Sequence, residues 1–125
     1  MKIAVTVVEG SPDAPVDPRF GRASYFMIFD TETESFETLA NPAIASAHGA
    51  GVQAAQMMCD RKIGAVLTGR VGPNAHQILM AAGIELCSCP SASAKEAVSQ
   101  YLTGALPAIE QAGPPHGGQG RGRNR

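Results

Sequence analysis

The order of hydrophobic and polar positions along the chain predicts five strands and three helices. Short apolar runs rich in β-branched or aromatic residues, bounded by glycine, proline or polar turns, are typical of strands. Longer stretches with apolar positions three or four residues apart are typical of helices. The predicted strands cover residues 2–8, 25–30, 35–39, 63–68 and 84–87. The predicted helices cover residues 48–61 and 74–82, and the last one begins near Ser93 with Glu96 at capping-box spacing.

This order of elements favours an α/β fold in which a mixed five-stranded sheet carries helices on both faces. The first strand leads into a long proline-bearing loop rather than into a helix, and the pattern Gly-x-Gly-x-x-Gly is absent from the sequence. Both observations disfavour a standard dinucleotide-binding unit. In open α/β sheets the ligand lies beyond the carboxyl ends of the parallel strands, so we expect the site there.

Residues 69–75 form the most informative segment, because they join a buried strand to a helix. Gly69, Gly72 and Pro73 let the backbone approach a ligand closely, and the first helical turn directs N–H groups toward it. Arg70 adds a positive charge at the same place. These features indicate an anion-binding turn, with an ordinary strand-to-helix loop as an equal alternative.

A second arginine-bearing loop, residues 9–22, follows the first strand. The strands that precede the two loops should end at the same edge of the sheet, so this loop should lie beside residues 69–74. Arg19 and Arg22 would then stand close to Arg70. Three arginines in one place predict an anionic ligand.

The composition is that of a single globular domain, with 125 residues of which 44% are hydrophobic. No apolar run approaches the roughly 20 residues that a membrane-spanning helix needs. The first nine residues are too short and too strand-like for a signal peptide. We therefore expect a cytoplasmic protein without a membrane partner. The three cysteines are an odd number, which argues against a disulfide framework.

Charge is distributed unevenly along the chain, although the net charge is only −1. Residues 113–125 contain three arginines and no acidic residue, whereas residues 1–112 contain seven basic and eleven acidic residues. The final segment is rich in glycine and lacks large apolar residues, which predicts a disordered tail. The expected organisation is an α/β domain at 1–112 and a tail at 113–125. Nucleic-acid binding by the tail is not favoured, because it contains no aromatic residue.

Five short motifs stand in a fixed order along the chain. They are Asp17-Pro18-Arg19-Phe20-Gly21-Arg22-Ala23, Asn41-Pro42, Gly49-Ala50-Gly51, Thr68-Gly69-x-x-Gly72-Pro73 and Tyr101-Leu102-x-Gly104. In this order and spacing they resemble the dinitrogenase iron-molybdenum cofactor-binding family. That family includes NifX-type carriers, NafY-type cofactor-binding proteins, the C-terminal domain of NifB-type cofactor synthases and many stand-alone proteins. The resemblance extends from residue 2 to about residue 107.

The resemblance implies a three-layer ribonuclease H-like fold and non-enzymatic binding, storage or transfer of a metallocluster. The implied cargo is an iron-sulfur cluster or an iron-molybdenum cofactor precursor, and the implied partners are cluster-assembly or nitrogenase-maturation proteins. The residues expected to hold this cofactor are Arg19, Phe20, Gly21, Arg22, Gly69, Arg70, Gly72 and Asn74.

Direct bonds to such a cluster require thiolate or imidazole donors, and three residues are candidates. His48 lies at the start of the first predicted helix beside Gly49, with a capping or solvent-facing histidine as the alternative. Cys87 and Cys89 come at the end of the last predicted strand, with packing at the strand end as the alternative. Because two thiols cannot complete a four-ligand site, a bound cluster should be labile. Cys59 is expected in the core.

Three other functions are alternatives to metallocluster binding, and the sequence supports them unequally. A sensor or enzyme for a small phosphorylated ligand would use the same arginines, although no nucleophile–base pair is evident. A metal-dependent nuclease would need carboxylates on the central strands, and residues 2–8 and 63–68 contain none. A regulatory domain that binds a partner in the same pocket is disfavoured by the scarcity of aromatic residues.

Overall fold

The regular elements follow each other along the chain as the sequence pattern predicts. The computed structural model describes residues 1–45, 49–89 and 92–109. The strands are β1 (Lys2–Val7), β2 (Tyr25–Asp30), β3 (Ser35–Ala40), β4 (Ala65–Thr68) and β5 (Glu85–Ser88). The helices are a 3₁₀ helix (Pro42–Ala45), α1 (Ala50–Asp60), α2 (Pro73–Ala81) and α3 (Ala94–Leu102). Each predicted strand and helix is confirmed to within two residues at its ends, and the 3₁₀ helix is an addition.

The five strands form one mixed sheet in the order β3-β2-β1-β4-β5. β1 pairs antiparallel with β2 and parallel with β4, and β4 is in turn parallel to β5. β2 and β3 form an antiparallel hairpin around a turn at residues 31–34. The predicted five-stranded mixed sheet is confirmed, and its parallel strands β1 and β4 lie side by side in the centre.

Helices cover both faces of this sheet, as predicted, and each face has its own hydrophobic core. On one face, Met58 of α1 and Leu79 of α2 pack in the same buried cluster as Val66 of β4. On the other face, Val98 of α3 packs in a cluster with Leu67 of β4. Successive residues of β4 thus point to opposite cores, which is the alternation expected of a central strand.

The buried face of α1 differs from the one that the sequence pattern predicts. That pattern places Val52, Ala55, Met58 and Cys59 in the core. The structure buries Ala54, Ala55 and Met58 completely, whereas Val52 and Cys59 are only half-buried. The prediction was wrong for Val52, which belongs to neither core cluster, whereas Cys59 is partly buried and packs against the cluster on this face.

The start of α3 carries the predicted capping box. The Glu96 N–H donates to Ser93 Oγ at 3.2 Å, and the Ser93 N–H donates to Glu96 Oε1 at 3.0 Å. The loop after β1 also reaches this helix start, since the Lys95 N–H donates to the Pro12 carbonyl at 2.9 Å. The loop is therefore anchored to α3 before it continues to its arginines.

The sequence also predicts that the chain has no membrane-spanning helix and that it ends in a tail. No helix in the described part of the chain is long and apolar enough to cross a bilayer. The predicted tail at 113–125, and with it the boundary after residue 112, lies outside the described residues.

Replacing Leu79 by alanine should destabilise the fold, because its side chain is fully buried between α2 and the sheet. We expect the free energy of unfolding to fall by about 2–5 kcal/mol. The adjacent Met80 is 50% exposed, so Met80→Ala is a matched control that should change this energy by less than about 1 kcal/mol. Urea unfolding followed by circular dichroism measures both variants. If both variants lost the same free energy of unfolding, the burial of Leu79 between α2 and the sheet would be contradicted.

Candidate functional site

A cleft of about 440 Å³ opens where the central parallel strands β1 and β4 end. Its walls come from the loop after β1, the start of α1 and the turn between β4 and α2. The lining residues are Arg19, Phe20, Gly21, Arg22, Gly49, Ala50, Gly51, Val52, Arg70, Val71, Gly72, Pro73, Asn74 and Ala75. Of these lining residues three are arginines and none is acidic, so the cleft favours an anion.

The two arginine-bearing loops lie side by side, as expected from the shared edge of the parallel strands. Arg19 and Arg70 form a parallel backbone bridge. The Arg70 N–H donates to the Pro18 carbonyl at 2.7 Å, and the Phe20 N–H donates to the Arg70 carbonyl at 3.2 Å. Gly69 makes this approach possible, because a Cβ at that position would lie 2.6 Å from the Pro18 carbonyl oxygen.

Buried polar groups beneath the cleft tie the first loop to the sheet. Thr6 Oγ1 donates to the Asp17 carbonyl at 2.7 Å and lies 2.7 Å from Thr68 Oγ1. The Asp17 N–H donates back to the Thr6 carbonyl at 2.7 Å. All three residues are buried. The origin of the arginine loop is therefore fixed to the ends of β1 and β4.

The Asp17 carboxylate, which is almost fully buried, pairs with Arg19. Asp17 Oδ1 accepts from the Arg19 backbone N–H at 2.9 Å and from its Nε at 3.2 Å, while Oδ2 accepts from Nη2 at 3.3 Å. The Asp17 side chain is 3% exposed and that of Arg19 is 59% exposed. The hydrogen bond and the charge of Asp17 raise the pKa of Arg19. Arg19 is therefore a permanently charged group at the rim.

Asn41 holds the far end of the same loop. Its Nδ2 donates to the carbonyls of Gly21 at 3.2 Å and of Ala23 at 2.8 Å, and its Oδ1 accepts the Ala43 N–H at 3.0 Å. The side chain is buried. The sequence offers Asn41 only as part of a motif, and its supporting role is missed because the contacts join residues 18 and 20 positions apart.

Two helices begin at the cleft, each after a glycine that provides no side-chain cap. Gly49 precedes α1 with a φ of 73°, and Gly72 precedes α2, which has Pro73 in its first turn. Neither first turn contains an acidic residue. Gly21 packs on the first turn of α1, where a Cβ would lie 2.7 Å from Gly51 Cα. The N–H groups of both first turns strengthen the preference for an anion.

The structure brings together most of the residues that the sequence predicts to bind a cofactor. Seven of them line the cleft, namely Arg19, Phe20, Gly21, Arg22, Arg70, Gly72 and Asn74. The eighth, Gly69, lies against Pro18 behind the cleft wall. The start of α1 at residues 49–52 also lines the cleft. The sequence identifies Gly49-Ala50-Gly51 as a motif beside the candidate ligand His48, but residues 49–52 are not among those predicted to bind the cofactor. His48 lies outside the described residues, directly before Gly49.

Cys87 and Cys89 do not line the cleft. Each is 2% exposed and belongs to the core between the sheet and α3. Cys87 Sγ lies 3.9 Å from the Glu85 carboxylate, and Cys89 Sγ lies 3.8 Å from the Gln100 side-chain oxygen. Burial, and then the charge of Glu85, raises the pKa of Cys87 to about 11, and burial also raises the pKa of Cys89. These features disfavour the thiolate that a metal ligand requires, and they match the packing alternative.

The described residues provide donors for an anion rather than ligands for a metal. Among them, no three His, Cys, Asp or Glu side chains are placed to hold a metal ion. Phe20 and Val71 give the cleft an apolar floor, and Phe20 is supported by Phe26 at a ring distance of 5.8 Å. This arrangement suits a negatively charged group with some apolar surface, held by guanidinium and backbone N–H donors.

Comparison with known protein families assigns the chain to one of them. A sequence model of the family described as "Dinitrogenase iron-molybdenum cofactor" matches residues 1–104. The chain therefore belongs to this family, which confirms the resemblance drawn from its motifs. The match includes every segment that lines the cleft.

Two relatives of known structure and one sequence relative match nearly the whole fold. The apo form of the orange protein from Desulfovibrio gigas is 39% identical with a TM-score of 0.83, covering 88% of this chain and 93% of that protein. A candidate NifB protein from Thermotoga is 32% identical with a TM-score of 0.76, covering 86% and 91%. An uncharacterized protein from Methanocaldococcus jannaschii is 27% identical over 113 residues, covering 88% of this chain and 92% of the relative. The similarity thus extends well beyond the cleft.

Replacing Gly69 by alanine should loosen the junction of the two arginine loops. The new Cβ would lie within 2.8 Å of three Pro18 atoms, two of them backbone, so the loops must move apart. We expect the melting temperature to fall by about 5 °C or more. Gly72→Ala is the matched control, because its Cβ would meet nothing within 4 Å and its φ is −67°. Calorimetry that finds equal melting temperatures for the two variants would contradict this geometry.

Cys59 should react first when the native protein is treated with iodoacetamide at about pH 8. The pKa of Cys87 is about 11 and that of Cys89 is also raised, so at this pH both remain thiols, and burial blocks access as well. Mass spectrometry after a short reaction should find one modified cysteine, and all three in urea. Rapid modification of Cys87 or Cys89 in the native protein would contradict their placement.

Proposed function

We propose that this protein binds, stores or transfers an iron-sulfur-type metallocluster, such as the iron-molybdenum cofactor or its precursor, without catalysing a reaction. The observation that carries the proposal is the cleft, where arginines from two loops meet two helix starts and the lining includes no acidic side chain. Membership of a family described by the iron-molybdenum cofactor supports this choice of cargo.

Arginine side chains would make most of the contacts that bind the cargo. Arg19, Arg22 and Arg70 would donate to the anionic cluster or to an organic acid attached to it, together with backbone N–H groups of residues 70–75. A guanidinium group presents a planar fork of donors that matches a carboxylate. Such contacts leave the bonds between metal and sulfide unchanged, so the cargo can leave intact.

His48 is the proposed direct ligand. It precedes Gly49, which lines the cleft, and a neutral imidazole nitrogen is a common metal ligand. Cys87 and Cys89 take no part in the proposed site, because they are buried on the α3 side of the sheet and do not line the cleft. One imidazole bond beside an arginine-rich surface suits reversible carriage.

The proposed carrier needs one partner protein that delivers the cluster and another that accepts it. A protein that assembles clusters would deliver the cargo, and a nitrogenase-maturation or similar protein would accept it. We also propose that the fold is of the ribonuclease H-like type. The strand order β3-β2-β1-β4-β5, with β2 antiparallel to the other four strands, supports that name.

A small phosphorylated ligand is the second candidate for the same cleft. The arginines and the two helix starts suit phosphate oxygens as well as a cluster. A thermal-shift screen of phosphorylated metabolites would identify such a ligand. The nuclease alternative lacks support, because β1 and β4, which are fully described, contain no carboxylate.

Anaerobic loading tests the proposed function. The full chain is incubated with isolated iron-molybdenum cofactor, and separately with ferrous iron and sulfide, and then passed through gel filtration. We expect molybdenum and iron to elute with the protein and to give absorption and paramagnetic resonance signals. Arg70→Gln should weaken retention of the cofactor by about tenfold, because it removes charge-assisted hydrogen bonds. His48→Ala should change the resonance spectrum.

Arg61→Gln is the matched control for Arg70→Gln. Arg61 lies outside the cleft and pairs with Glu37 at 3.4 Å, so its replacement should leave retention unchanged. If the wild-type chain retains no metal in either experiment, the proposed function is wrong. If Arg61→Gln and Arg70→Gln weaken retention equally, the cleft is not the site.

A further inference from the structure

The buried Asp17 carboxylate pairs with Arg19, one of the arginines that line the cleft. We propose that Asp17 is an internal counter-ion that competes with the anionic cargo for Arg19 and thereby sets how strongly the cleft retains an anion. This inference rests on the proposed function in that the cleft takes an anion. It adds a positioning residue that does not itself line the cleft.

Two parallel hydrogen bonds engage Arg19 before any ligand arrives. Nε and Nη2 of Arg19 donate to the two Asp17 carboxylate oxygens at 3.2 and 3.3 Å. A guanidinium has five N–H donors, so about three remain for a ligand. The Nε/Nη2 edge of Arg19 therefore already faces a carboxylate, and an anion must either accept the remaining donors or displace Asp17.

Asp17 cannot follow the arginine into the cleft. Its backbone is fixed on both sides by Thr6, at 2.7 Å in each bond, and its Oδ1 also accepts the Arg19 N–H at 2.9 Å. Its side chain is 3% exposed, whereas that of Arg19 is 59% exposed. When an anion draws the guanidinium away, the buried carboxylate loses two charge-assisted bonds that water cannot replace. That loss favours the return of Arg19 and the release of the anion.

The competition also selects by charge. An anion that captures Arg19 must attract it more strongly than a buried carboxylate does. Coulomb attraction grows with the charge of the ligand, so a multiply charged anion overcomes Asp17 more readily than a monovalent one. Asp17 thus biases the cleft toward multiply charged anions over monovalent ones.

Asp17→Asn tests this inference with inorganic pyrophosphate as the probe. An asparagine oxygen can still accept the Arg19 N–H, so the turn is retained while the negative charge is removed. Calorimetric titration of the full chain at low ionic strength should show pyrophosphate binding that is about fivefold tighter, or more, than in the wild type. The gain should shrink at physiological ionic strength.

Asp13→Asn is the matched control. Asp13 lies in the same loop, is exposed, and pairs with Lys95 at 3.2 Å outside the cleft. The substitution changes the net charge by the same amount and should leave pyrophosphate affinity within about twofold of the wild type. In an Arg19→Gln background the gain from Asp17→Asn should be smaller, because the competition acts through Arg19.

A second measurement needs no variant. The ¹⁵N-edited resonance of the Arg19 Nε–H should shift when pyrophosphate is added to the wild-type chain, as its bond to Asp17 is broken. Pyrophosphate binding without that shift, or unchanged or weaker binding by a folded Asp17→Asn variant, overturns this inference alone. If neither the wild type nor Asp17→Asn binds pyrophosphate, the anion-binding cleft itself is wrong, and the inference fails with it.

Discussion

The carbonyl group of Asp17 joins the sheet to the cleft, and the rest of the site depends on it. It accepts the Thr6 hydroxyl at 2.7 Å, and the Thr68 hydroxyl lies 3.5 Å away. Thr6 and Thr68 belong to the two central parallel strands, so this contact places the loop that carries Arg19 and Arg22 where both strands end. All three bonded residues are buried, and a buried polar group without a partner costs more than the bond itself contributes.

The cleft combines a fixed loop backbone with exposed arginine residues. Asn41 fixes the loop backbone from one side and Gly51 meets it from another, whereas Arg22 and Arg70 are exposed at their ends. A fixed backbone places the donors in advance, which limits the entropy that binding must remove. The long arginine side chains still lose rotamer freedom when they close on a ligand. The two effects oppose each other, and under the proposed function an intermediate affinity would allow both uptake and release of the cargo.

Most of the fold follows from local periodicity, and the sequence therefore predicts it to within two residues. The meeting of the two arginine loops is also predictable, because parallel strands end at one edge of a sheet. The clamp made by Asn41 is not predictable, since its contacts join residues 18 and 20 positions apart. Asp17 and Arg19 are only two residues apart, but their pairing depends on the conformation and burial of the loop, which hydrophobic periodicity does not specify. Cys87 lies in β5 and Cys89 directly follows it, but hydrophobic periodicity cannot show that both side chains meet the core on the α3 side.

The separation of thiols from the cleft bears on how a cluster would be handed over. Under the proposed function, guanidinium and amide donors hold the cargo, His48 provides the one proposed bond to a metal atom, and no cysteine of this protein takes part. An acceptor that brings thiolates can then bind the metal directly, without first displacing cysteine ligands of the carrier. Placing Cys87 and Cys89 in the opposite core, with pKa values raised by burial, keeps the carrier's own thiols from competing for the metal. Under the proposed function, new thiolate bonds from the partner would then favour transfer.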